Sequence, residues 1–412
     1  MLMIRLLLIC FSLFVLLKNS NGQTLGFAIA DEKKRVDIPI QIQNNLVVVP
    51  VVLNDVLPLK FIVDTGVRTA ILTQKAFSDI LQLPYSRKYS VSGPGGEKLI
   101  DAYVTNNVSI ALPGVTGKGH ALLVLEEDYL ELRNYLGTDV HGILGYELFS
   151  RFIVKIDYGK KMMSLILPEK FHPRKKFQEL PMLVEDTKPF ILTSLNLTAT
   201  NSMTAKLLMD TGASHGLMLE PGSDERIEVP FNTVSTVIGR GLGGIITGKT
   251  GRIESLKLGN YILDNVIANF PDPNSYMDTL KSSLTFRHGT IGGEILSRFT
   301  VIFNYPQGKV YLKKNAEFKK KFYINLSGVD LRAKGSGLDI FEVSEVRDLS
   351  PADKAGILQG DLVISVNGIQ SKDLHLNEMN ALLNGKPGKK ISIVIERNLV
   401  RYQLQFRLES QI

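Results

Sequence analysis

The stretch that decides the fold is Asp64-Thr65-Gly66, which recurs as Asp210-Thr211-Gly212 at an offset of 146 residues. Each copy follows a short apolar run, Phe61-Ile62-Val63 in the first case and Leu207-Leu208-Met209 in the second. Short apolar runs that lead into a turn are typical of buried strands. The sequence therefore predicts the same strand and the same turn at two places in the chain.

Further landmarks repeat at nearly the same distance. The segment HGILGYELFSRFIVKIDY, which begins at His141, shares nine of eighteen positions with HGTIGGEILSRFTVIFNY, which begins at His288, an offset of 147. A glycine cluster begins 29 residues after each aspartate, at Gly93 and at Gly239. Self-similarity at a fixed period indicates a duplicated module. The apolar runs within each module predict mainly β lobes, each a small antiparallel barrel.

The first residues predict a secretory leader. Arg5 precedes an apolar run over residues 6–17, and the small residues Ser20 and Gly22 fit cleavage before Gln23. A run of 12 residues is short for a transmembrane helix. We therefore expect a cleaved signal peptide, with a retained signal anchor as the alternative.

Cysteine usage supports an exported protein. Cys10 is the one cysteine and lies within the leader, so cleavage would leave 390 residues without any cysteine. Thiol nucleophiles, disulfides and thiolate metal sites would then be excluded together. A disulfide-free exported chain favours a bacterial protein in the periplasm or outside the cell. Contact with a membrane is expected only through an uncleaved leader.

The net charge of +7 is concentrated in two short stretches. Residues 172–176 carry +3 and residues 313–321 carry +4, which leaves the rest of the cleaved chain close to neutral. Nucleic-acid binding requires a basic domain face, so we exclude that class of partner and interpret both stretches as solvated connectors. The predicted divisions are a leader at 1–22, a first lobe at 23–171, a second lobe at 178–312 and a further domain at 322–410.

Two carboxylates, one from each copy, can supply an acid and a base together. Close like charges cannot both ionise easily, so the pair would share one proton. The ionised carboxylate would then activate a water, and its protonated partner would donate to a scissile carbonyl oxygen. We predict that Asp64 and Asp210 form this catalytic pair, with no cofactor and no metal. Thr65 and Thr211 would exchange hydrogen bonds across the lobes, and Gly66 and Gly212 would permit the tight turn.

These motifs resemble the aspartic peptidases, the pepsin and retroviral-protease superfamily. In that family a late apolar-apolar-glycine motif packs beneath each loop, and here Ile143-Leu144-Gly145 and Thr290-Ile291-Gly292 match it. The resemblance covers residues 36–312 and is closer to the compact retroviral type. Because both lobes are on one chain, it implies a monomer. It also implies flap hairpins whose tips would include Gly93, Gly95, Gly96, Gly239, Gly241 and Gly243.

The two loops differ just after the shared motif. The resemblance implies that Ser214 supports the pair by a hydrogen bond to the outer oxygen of Asp210. The first copy has Val67-Arg68 there, without a serine. Arg68 either points inward, where it would lower the pKa of Asp64, or is solvated, and we favour the solvated arrangement.

Three other motif matches are weaker. Residues 212–216 satisfy G-x-S-x-G, but no helix of the kind that a serine-hydrolase elbow needs is predicted after them. Residues 243–250 satisfy a phosphate-binding loop, and residues 239–244 a dinucleotide loop, but the sequence that follows alternates like a strand. A mobile glycine-rich hairpin explains both matches. The six histidines show no metal-binding spacing.

Residues 322–410 resemble a PDZ domain of the kind appended to bacterial exported proteases. The stretches SPADKAGI from Ser350 and GDLVISVNG from Gly360 carry this match. The resemblance implies a carboxylate-binding loop at Ser327-Gly328-Val329-Asp330, beside a helix at Leu376–Leu383. Asp330 departs from the apolar family pattern there. A domain that only packs on the lobes is the alternative.

The sequence as a whole predicts a mainly β protein with two duplicated acid-protease-type β-barrel lobes and a C-terminal α+β PDZ domain. We expect an exported aspartic endopeptidase that acts on protein or peptide substrates, with possible C-terminal peptides as PDZ ligands. The rival hypothesis is a catalytically silent scaffold that serves as a PDZ peptide-binding module.

Overall fold

The computed structural model describes residues 25–31, 33–91, 93–96, 99–273 and 285–412. The leader expected at 1–22 and its Cys10 lie outside these residues. Within the described part, no helix is both long enough and apolar enough to span a bilayer.

The first lobe is built almost entirely of strands. These are β1 (Gly26–Ile29), β2 (Arg35–Pro39), β3 (Gln41–Gln43), β4 (Leu46–Leu53), β5 (Leu57–Val63), β6 (Ala70–Leu72), β7 (Tyr85–Val91), β8 (Ile100–Val108), β9 (Ile110–Ala111), β10 (Val115–Lys118), β11 (His120–Leu125), β12 (Gly142–Leu144), β13 (Ile153–Asp157) and β14 (Met162–Ile166). Its helices are α1 (Lys75–Ile80), α2 (Leu132–Leu136) and α3 (Tyr146–Arg151).

The second lobe repeats this plan. Its strands are β15 (Gln178–Pro181), β16 (Leu183–Glu185), β17 (Lys188–Asn196), β18 (Ser202–Met209), β19 (Leu217–Leu219), β20 (Val234–Gly241), β21 (Gly244–Leu258), β22 (Tyr261–Pro271), β23 (Gly289–Ile291), β24 (Phe299–Asn304) and β25 (Lys309–Lys314), and its helix is α4 (Gly293–Leu296). Single 3-10 turns follow at Pro168–Lys170, Tyr305–Gln307 and Ala316–Lys319.

The duplication is visible in the strand order of the two lobe sheets. The first runs β3-β4-β5-β12-β6-β11-β8-β7 and the second runs β16-β17-β18-β23-β19-β22-β21-β20. In each, a three-residue strand lies between the strand before the Asp-Thr-Gly loop and the strand after it. This strand, β12 or β23, is parallel to the former and antiparallel to the latter. The repeated sequence landmarks therefore build the same local topology twice.

The histidines that open the repeated segment have a structural role. The Nδ1 atom of His141 accepts the backbone N–H of Lys60 at 3.0 Å, and that of His288 accepts the N–H of Lys206 at 2.9 Å. Burial is the main cause that lowers the pKa of both imidazoles. Neutral rings of this kind keep one nitrogen free to accept, so these histidines tie β12 and β23 to their neighbours.

A shared sheet joins the lobes. Its order is β15-β25-β24-β13-β14-β2, and the central pair is antiparallel, with Val154 opposite Phe303. Val154 and Phe303 face the main core, whereas Ile153 and Ile302 belong to a smaller cluster. Successive strand residues point to opposite faces, so the central pair places buried apolar residues on both faces of the sheet. The lobes are thus joined by a hydrogen-bonded ladder and not only by the connector near residue 175.

The last domain has its own core. It contains β26 (Val329–Lys334), β27 (Ile340–Val346), β28 (Leu362–Val366), β29 (Ile369–Gln370), β30 (Lys390–Arg397) and β31 (Val400–Arg407), with α5 (Pro351–Lys354), a 3-10 turn at Ser371–Asp373 and α6 (Leu376–Leu383). The sheet order is β26-β27-β28-β30-β31, which leaves β26 at an edge. A capping box between His375 and Glu378 starts α6. The predicted fold class, two β lobes and an α+β domain, is confirmed.

Candidate active site

The two Asp-Thr-Gly loops are fixed by the short central strands. The backbone N–H of Asp64 donates to the carbonyl of Leu144 at 2.9 Å, and that of Asp210 donates to the carbonyl of Ile291 at 2.8 Å. These acceptors belong to the apolar-apolar-glycine motifs identified in the sequence. Each motif therefore lies directly beneath its loop and sets the position of its aspartate.

The two threonines connect the loops to each other by hydrogen bonds. Thr65 N–H donates to Thr211 Oγ1 at 3.1 Å, and Thr211 N–H donates to Thr65 Oγ1 at 3.0 Å. Each hydroxyl in turn donates across the lobes, Thr65 to the carbonyl of Met209 at 2.6 Å and Thr211 to that of Val63 at 2.8 Å. Both side chains are fully buried. Buried, fully satisfied networks hold a rigid geometry, so the two loops form one unit.

The glycines of the motif leave room for the carboxylates. Gly66 N–H donates to Asp64 Oδ1 at 2.6 Å, and Gly212 N–H donates to Asp210 Oδ1 at 2.8 Å. A Cβ on Gly212 would lie 2.2 Å from Cγ of Asp64. No side chain fits at that distance, so glycine is required for the carboxylate of one lobe to reach the loop of the other.

The electrostatics of the pair favour one retained proton. Burial raises the pKa of Asp64 well above its usual range, and the charge of Asp210 and a side-chain hydrogen bond with it raise this pKa further. The N–H of Gly66 and the ammonium of Lys188 oppose the shift. A carboxyl in this environment holds its proton beside a second carboxylate. Lys188, the first residue of β17, had no signal in the sequence.

Two buried tyrosines at equivalent positions of the two lobes lie close enough to the pair to be affected by its charge. Tyr158 and Tyr305 are 147 residues apart, and within the described residues neither hydroxyl has a hydrogen-bond partner. Burial raises the pKa of both; the charge of Asp210 adds to the shift at Tyr158, and both aspartates add to it at Tyr305. These phenols are therefore neutral, and the sequence analysis did not identify them.

The residues that follow each loop contact the opposite lobe. Arg68 is 62% exposed and forms an ion pair with Asp186 in the β16–β17 hairpin. It is therefore neither directed at Asp64 nor merely solvated. At the equivalent place Ser214 accepts, through its carbonyl, a hydrogen bond of 3.1 Å from Asn45 in the β3–β4 hairpin.

The expected support from the Ser214 hydroxyl is not found. Ser214 is exposed, and among the described residues its hydroxyl makes no hydrogen bond to Asp210. The backbone at this position is instead used by Asn45. The contact between each lobe's first hairpin and the other lobe's loop replaces the interaction that the family resemblance implied.

The tips of the two flaps contact each other. Residues 93–96 connect β7 to β8, and residues 242–243 connect β20 to β21. Gly243 N–H donates to the carbonyl of Pro94 at 2.9 Å. A Cβ on Gly95 would lie 2.1 Å from the carbonyl oxygen of Gly244, and one on Gly241 would lie 2.1 Å from that of Pro94. Such backbone-to-backbone contact is open only to glycine, so both flaps are closed against each other.

Most of the predicted tip residues take part in this contact. Those that do are Gly93, Gly95, Gly96, Gly241 and Gly243. Gly239 does not, because it lies two residues before the end of β20 and a Cβ there would meet nothing within 4 Å. Leu242, which the sequence did not single out, packs on Gly93.

A short segment of the first lobe links the second flap to the PDZ domain. We call residues 131–137 the bridging segment. On one side Arg240 of β20 donates to the hydroxyl of Tyr135 at 3.1 Å and lies 3.5 Å from Glu131. On the other side Arg133 donates to the carbonyls of Gly335 and Ser336, at 3.1 and 2.6 Å.

Further contacts join the PDZ domain to the lobes. A Cβ on Gly137 would lie 2.4 Å from Cβ of Leu376, the first residue of α6. Glu345 accepts the backbone N–H of Val237 in the second flap at 3.3 Å. The domain therefore contacts both the first lobe and the flap of the second.

The predicted carboxylate-binding loop of the PDZ domain is internally satisfied. Asn325 Oδ1 accepts the N–H groups of Ser327 and Gly328, at 3.2 and 3.3 Å, and Ser327 Oγ accepts that of Val329 at 3.2 Å. Asp330 is exposed and accepts a hydrogen bond from Asn325 at 3.1 Å. This geometry offers peptide carboxylates few donors and adds a negative charge.

The weaker motif matches lead into strands. Residues 217–219, which follow the G-x-S-x-G match, form β19, and residues 244–258 form the long strand β21. Neither match is followed by the helix that its chemistry needs. In the described ranges, no group of three or more histidine, cysteine, aspartate or glutamate side chains is arranged to hold a metal ion.

Family models and known proteins match parts of this chain. A sequence model for aspartyl proteases matches residues 49–148 and 197–293, and one for PDZ domains matches residues 342–397. The carboxy-terminal processing protease CtpA of Bacillus subtilis is 34% identical over 80 residues, which is 19% of this chain and 17% of that protein. CtpB of the same organism is 38% identical over 60 residues, or 15% and 12%. The chain thus covers less than a fifth of either relative.

Proposed function

We propose that this chain, which carries an aspartyl protease domain in two segments and a PDZ domain after them, is an aspartic endopeptidase. The observation that carries the proposal is the pair of reciprocal hydrogen bonds between Thr65 and Thr211, because these bonds hold the loops of Asp64 and Asp210 together at one site. Each of the two matched segments contributes one of these aspartates.

The proposed reaction divides the work between the two carboxyls. Asp210, ionised, takes a proton from a water whose oxygen attacks the scissile carbonyl carbon, while Asp64 gives its proton to the carbonyl oxygen. The resulting gem-diol returns one hydroxyl proton to Asp64 as the C–N bond breaks. Asp210 passes its proton to the leaving amine. The raised pKa of Asp64 supports this assignment because it keeps the acid protonated before attack.

The closed flaps support a peptide as the substrate. An extended chain between the flap tips and the aspartates could pair with the strands on either side. Entry requires the contact between Gly243 and Pro94 to open. We further propose that the PDZ domain binds peptides of substrates or partners, and that the protein is exported.

Cleavage of casein by residues 23–412 tests the proposal. We expect peptide products in the wild type, their loss in Asp64→Asn and Asp210→Asn, and inhibition by a pepstatin-type transition-state analogue. Asp55→Asn is a matched control, because Asp55 is exposed in a turn where asparagine is equally tolerated. Unchanged cleavage in both site variants, or labelling of Ser214 by a fluorophosphonate with loss of activity, would contradict an aspartic mechanism. An absence of any cleavage would leave the silent scaffold as the better hypothesis.

A further inference from the structure

An open cavity of about 880 Å³ lies on the face of the shared sheet that is turned away from the main core. Its floor comes from both lobes, with Lys155 and Ile166 from the first and Ile302 and Lys313 from the second. Its wall is the connector at residues 170–177, which the sequence analysis interpreted as a solvated linker. Neither Asp64, Asp210 nor any flap residue lines it, so the cavity is separate from the proposed active site.

The cavity is strongly positive. Eight lysine and arginine side chains line it, against a single carboxylate, Asp157. Arg35 is neutralised by Asp37 at 2.7 Å, and Lys155 lies 3.9 Å from Asp157. The other six have no carboxylate within ion-pair distance in the described part of the chain: Lys34, Lys160, Lys170, Arg174, Lys176 and Lys313. The folded chain therefore holds these six cations around one cavity without carboxylates in the described ranges that would offset their mutual repulsion.

The electrostatic repulsion within the cavity affects the pKa of Lys155. Its side chain is only 23% exposed. Burial is the largest cause that lowers its pKa; Arg35 and Lys160 lower it further, while Asp157 and Asp37 oppose the shift. A bound anion would relieve the repulsion among these groups.

We propose that this cavity binds a ligand that carries two or more phosphate groups. Phosphate groups carry up to two charges each and accept hydrogen bonds from lysine and arginine on several oxygens, which suits many separate cations. The volume is that of a small-molecule site. Phe171 and Phe177 add an apolar surface beside the charges. The source of the phosphates is either the headgroup of an anionic lipid or a soluble polyphosphate.

The full chain can be titrated calorimetrically with sodium tripolyphosphate at low ionic strength. We expect saturable binding of one ligand per chain, weakened at least about tenfold by the triple variant K170E/R174E/K176E. The control K319E/K320E/K321E makes the same charge change on exposed lysines outside the cavity, and we expect it to stay within about twofold of the wild type. Equal weakening in both variants would overturn the proposal.

A second arm identifies the source. Cosedimentation with cardiolipin vesicles, in which each headgroup carries two phosphates, against phosphatidylcholine vesicles, supports a lipid headgroup if only the anionic vesicles bind and the cavity variant abolishes binding. Binding of tripolyphosphate alone supports a soluble ligand. Binding of neither probe, or equal affinity for a hexaglutamate peptide, overturns the proposal. Protection of Lys155 and Lys313 from acetylation by the bound probe would show that it contacts both lobes.

An independent observation concerns the bridging segment, residues 131–137. Its helix α2 packs along β26, the edge strand of the PDZ sheet. Peptides add to such an edge as a further strand. A peptide paired along the whole of β26 would need the space that α2 occupies.

We infer that peptide binding at β26 displaces the bridging segment and thereby frees the second flap, because Tyr135 and Glu131 of this segment hold Arg240. The biological purpose of this displacement rests on the proposed function, but the experiment that tests it does not require catalysis. Displacement would remove the contact that keeps Gly241 and its neighbours at the closed position.

Hydrogen exchange of the full chain tests the linkage without any catalysis. Arg133→Ala removes the donors to Gly335 and Ser336 but leaves Tyr135 and Arg240 in place. We expect faster amide exchange both in β26 and in flap residues 234–247. Arg401→Ala is the matched control, since Arg401 is exposed on β31. Faster exchange in β26 with an unchanged flap would overturn the inference, and the same measurement in Asp64→Asn separates it from the question of peptidase activity.

Discussion

Thr65 and Thr211 each accept the backbone N–H of the other, so neither Asp-Thr-Gly loop is complete without the opposite lobe. The two hydroxyls in turn donate hydrogen bonds to backbone carbonyls of the strands that precede the opposite loops. Four buried backbone groups, two from each lobe, are thereby satisfied by one pair of side chains.

Thr65→Val should remove two of these bonds and leave the N–H of Thr211 buried without an acceptor. The expected loss of stability is about 1–3 kcal/mol for that orphaned donor. Thr65→Ser keeps the hydroxyl and should cost only about 1 kcal/mol for one buried methyl. Denaturant unfolding compares the two. Equal losses would mean that packing of the methyl, not the hydrogen bonds, matters here.

The raised pKa of Asp64 makes stability depend on pH. The folded protein binds a proton at Asp64 more tightly than the unfolded chain, whose carboxyl has its ordinary value of 3.8. Stability contributed by this proton is complete below 3.8 and is lost as the pH rises through the folded pKa. Asp64→Asn has no proton to lose, so its stability relative to wild type should increase from pH 3 toward neutrality. Melting temperatures measured across this range give the comparison, with Asp55→Asn as control. Parallel curves for all three proteins would contradict it.

Removing the cation of Lys188 should raise the pKa of Asp64 further, because the ammonium favours the ionised carboxylate. In Lys188→Gln the alkaline limb of the pH–rate profile should therefore move to higher pH. Lys257→Gln, a change of an exposed lysine on the outer part of β21, should leave the limb in place. A shift to lower pH in Lys188→Gln would show that the lysine acts in another way.

The flap glycines provide a matched pair of variants. A Cβ at Gly243 would lie 2.5 Å from the carbonyl oxygen of Gly93, whereas one at Gly239 would meet nothing within 4 Å. Gly243→Ala should keep the tips apart and lower kcat/KM by at least about tenfold, the cost of about 1.4 kcal/mol of lost closure. Gly239→Ala should remain within about twofold. Similar losses in both would show that flexibility of the hairpin, not contact at the tip, governs closure.

The sequence revealed the duplication because its landmarks are local. Asp-Thr-Gly and the apolar-apolar-glycine motifs occupy contiguous residues, and the resemblance to aspartyl proteases and to PDZ domains that they indicated is confirmed. The fold class follows from the same periodic apolar runs. Gly239 was grouped with the flap tips because its distance from Asp210 repeated, but spacing alone does not tell where a hairpin turns.

Long-range relationships were not available from the sequence. The pairing of Val154 with Phe303 depends on complementarity between strands that local pattern does not encode. The charges at residues 172–176 were counted correctly, but a count does not tell whether a connector folds back over a sheet. Lys188 and Tyr135 act through space on groups far along the chain, so no motif could identify them.

The pairing between β13 and β24 also determines how far the association of the lobes depends on the covalent link between them. A chain nicked at Arg174 would keep its halves together, since the antiparallel pairing of β13 with β24 joins them without the peptide bonds of the connector. The pair of aspartates would then persist on dilution, unlike a site assembled from two freely exchanging subunits. In this protein the shared sheet keeps one copy of each loop in every site. The connector is not needed for that task and is free to have another role.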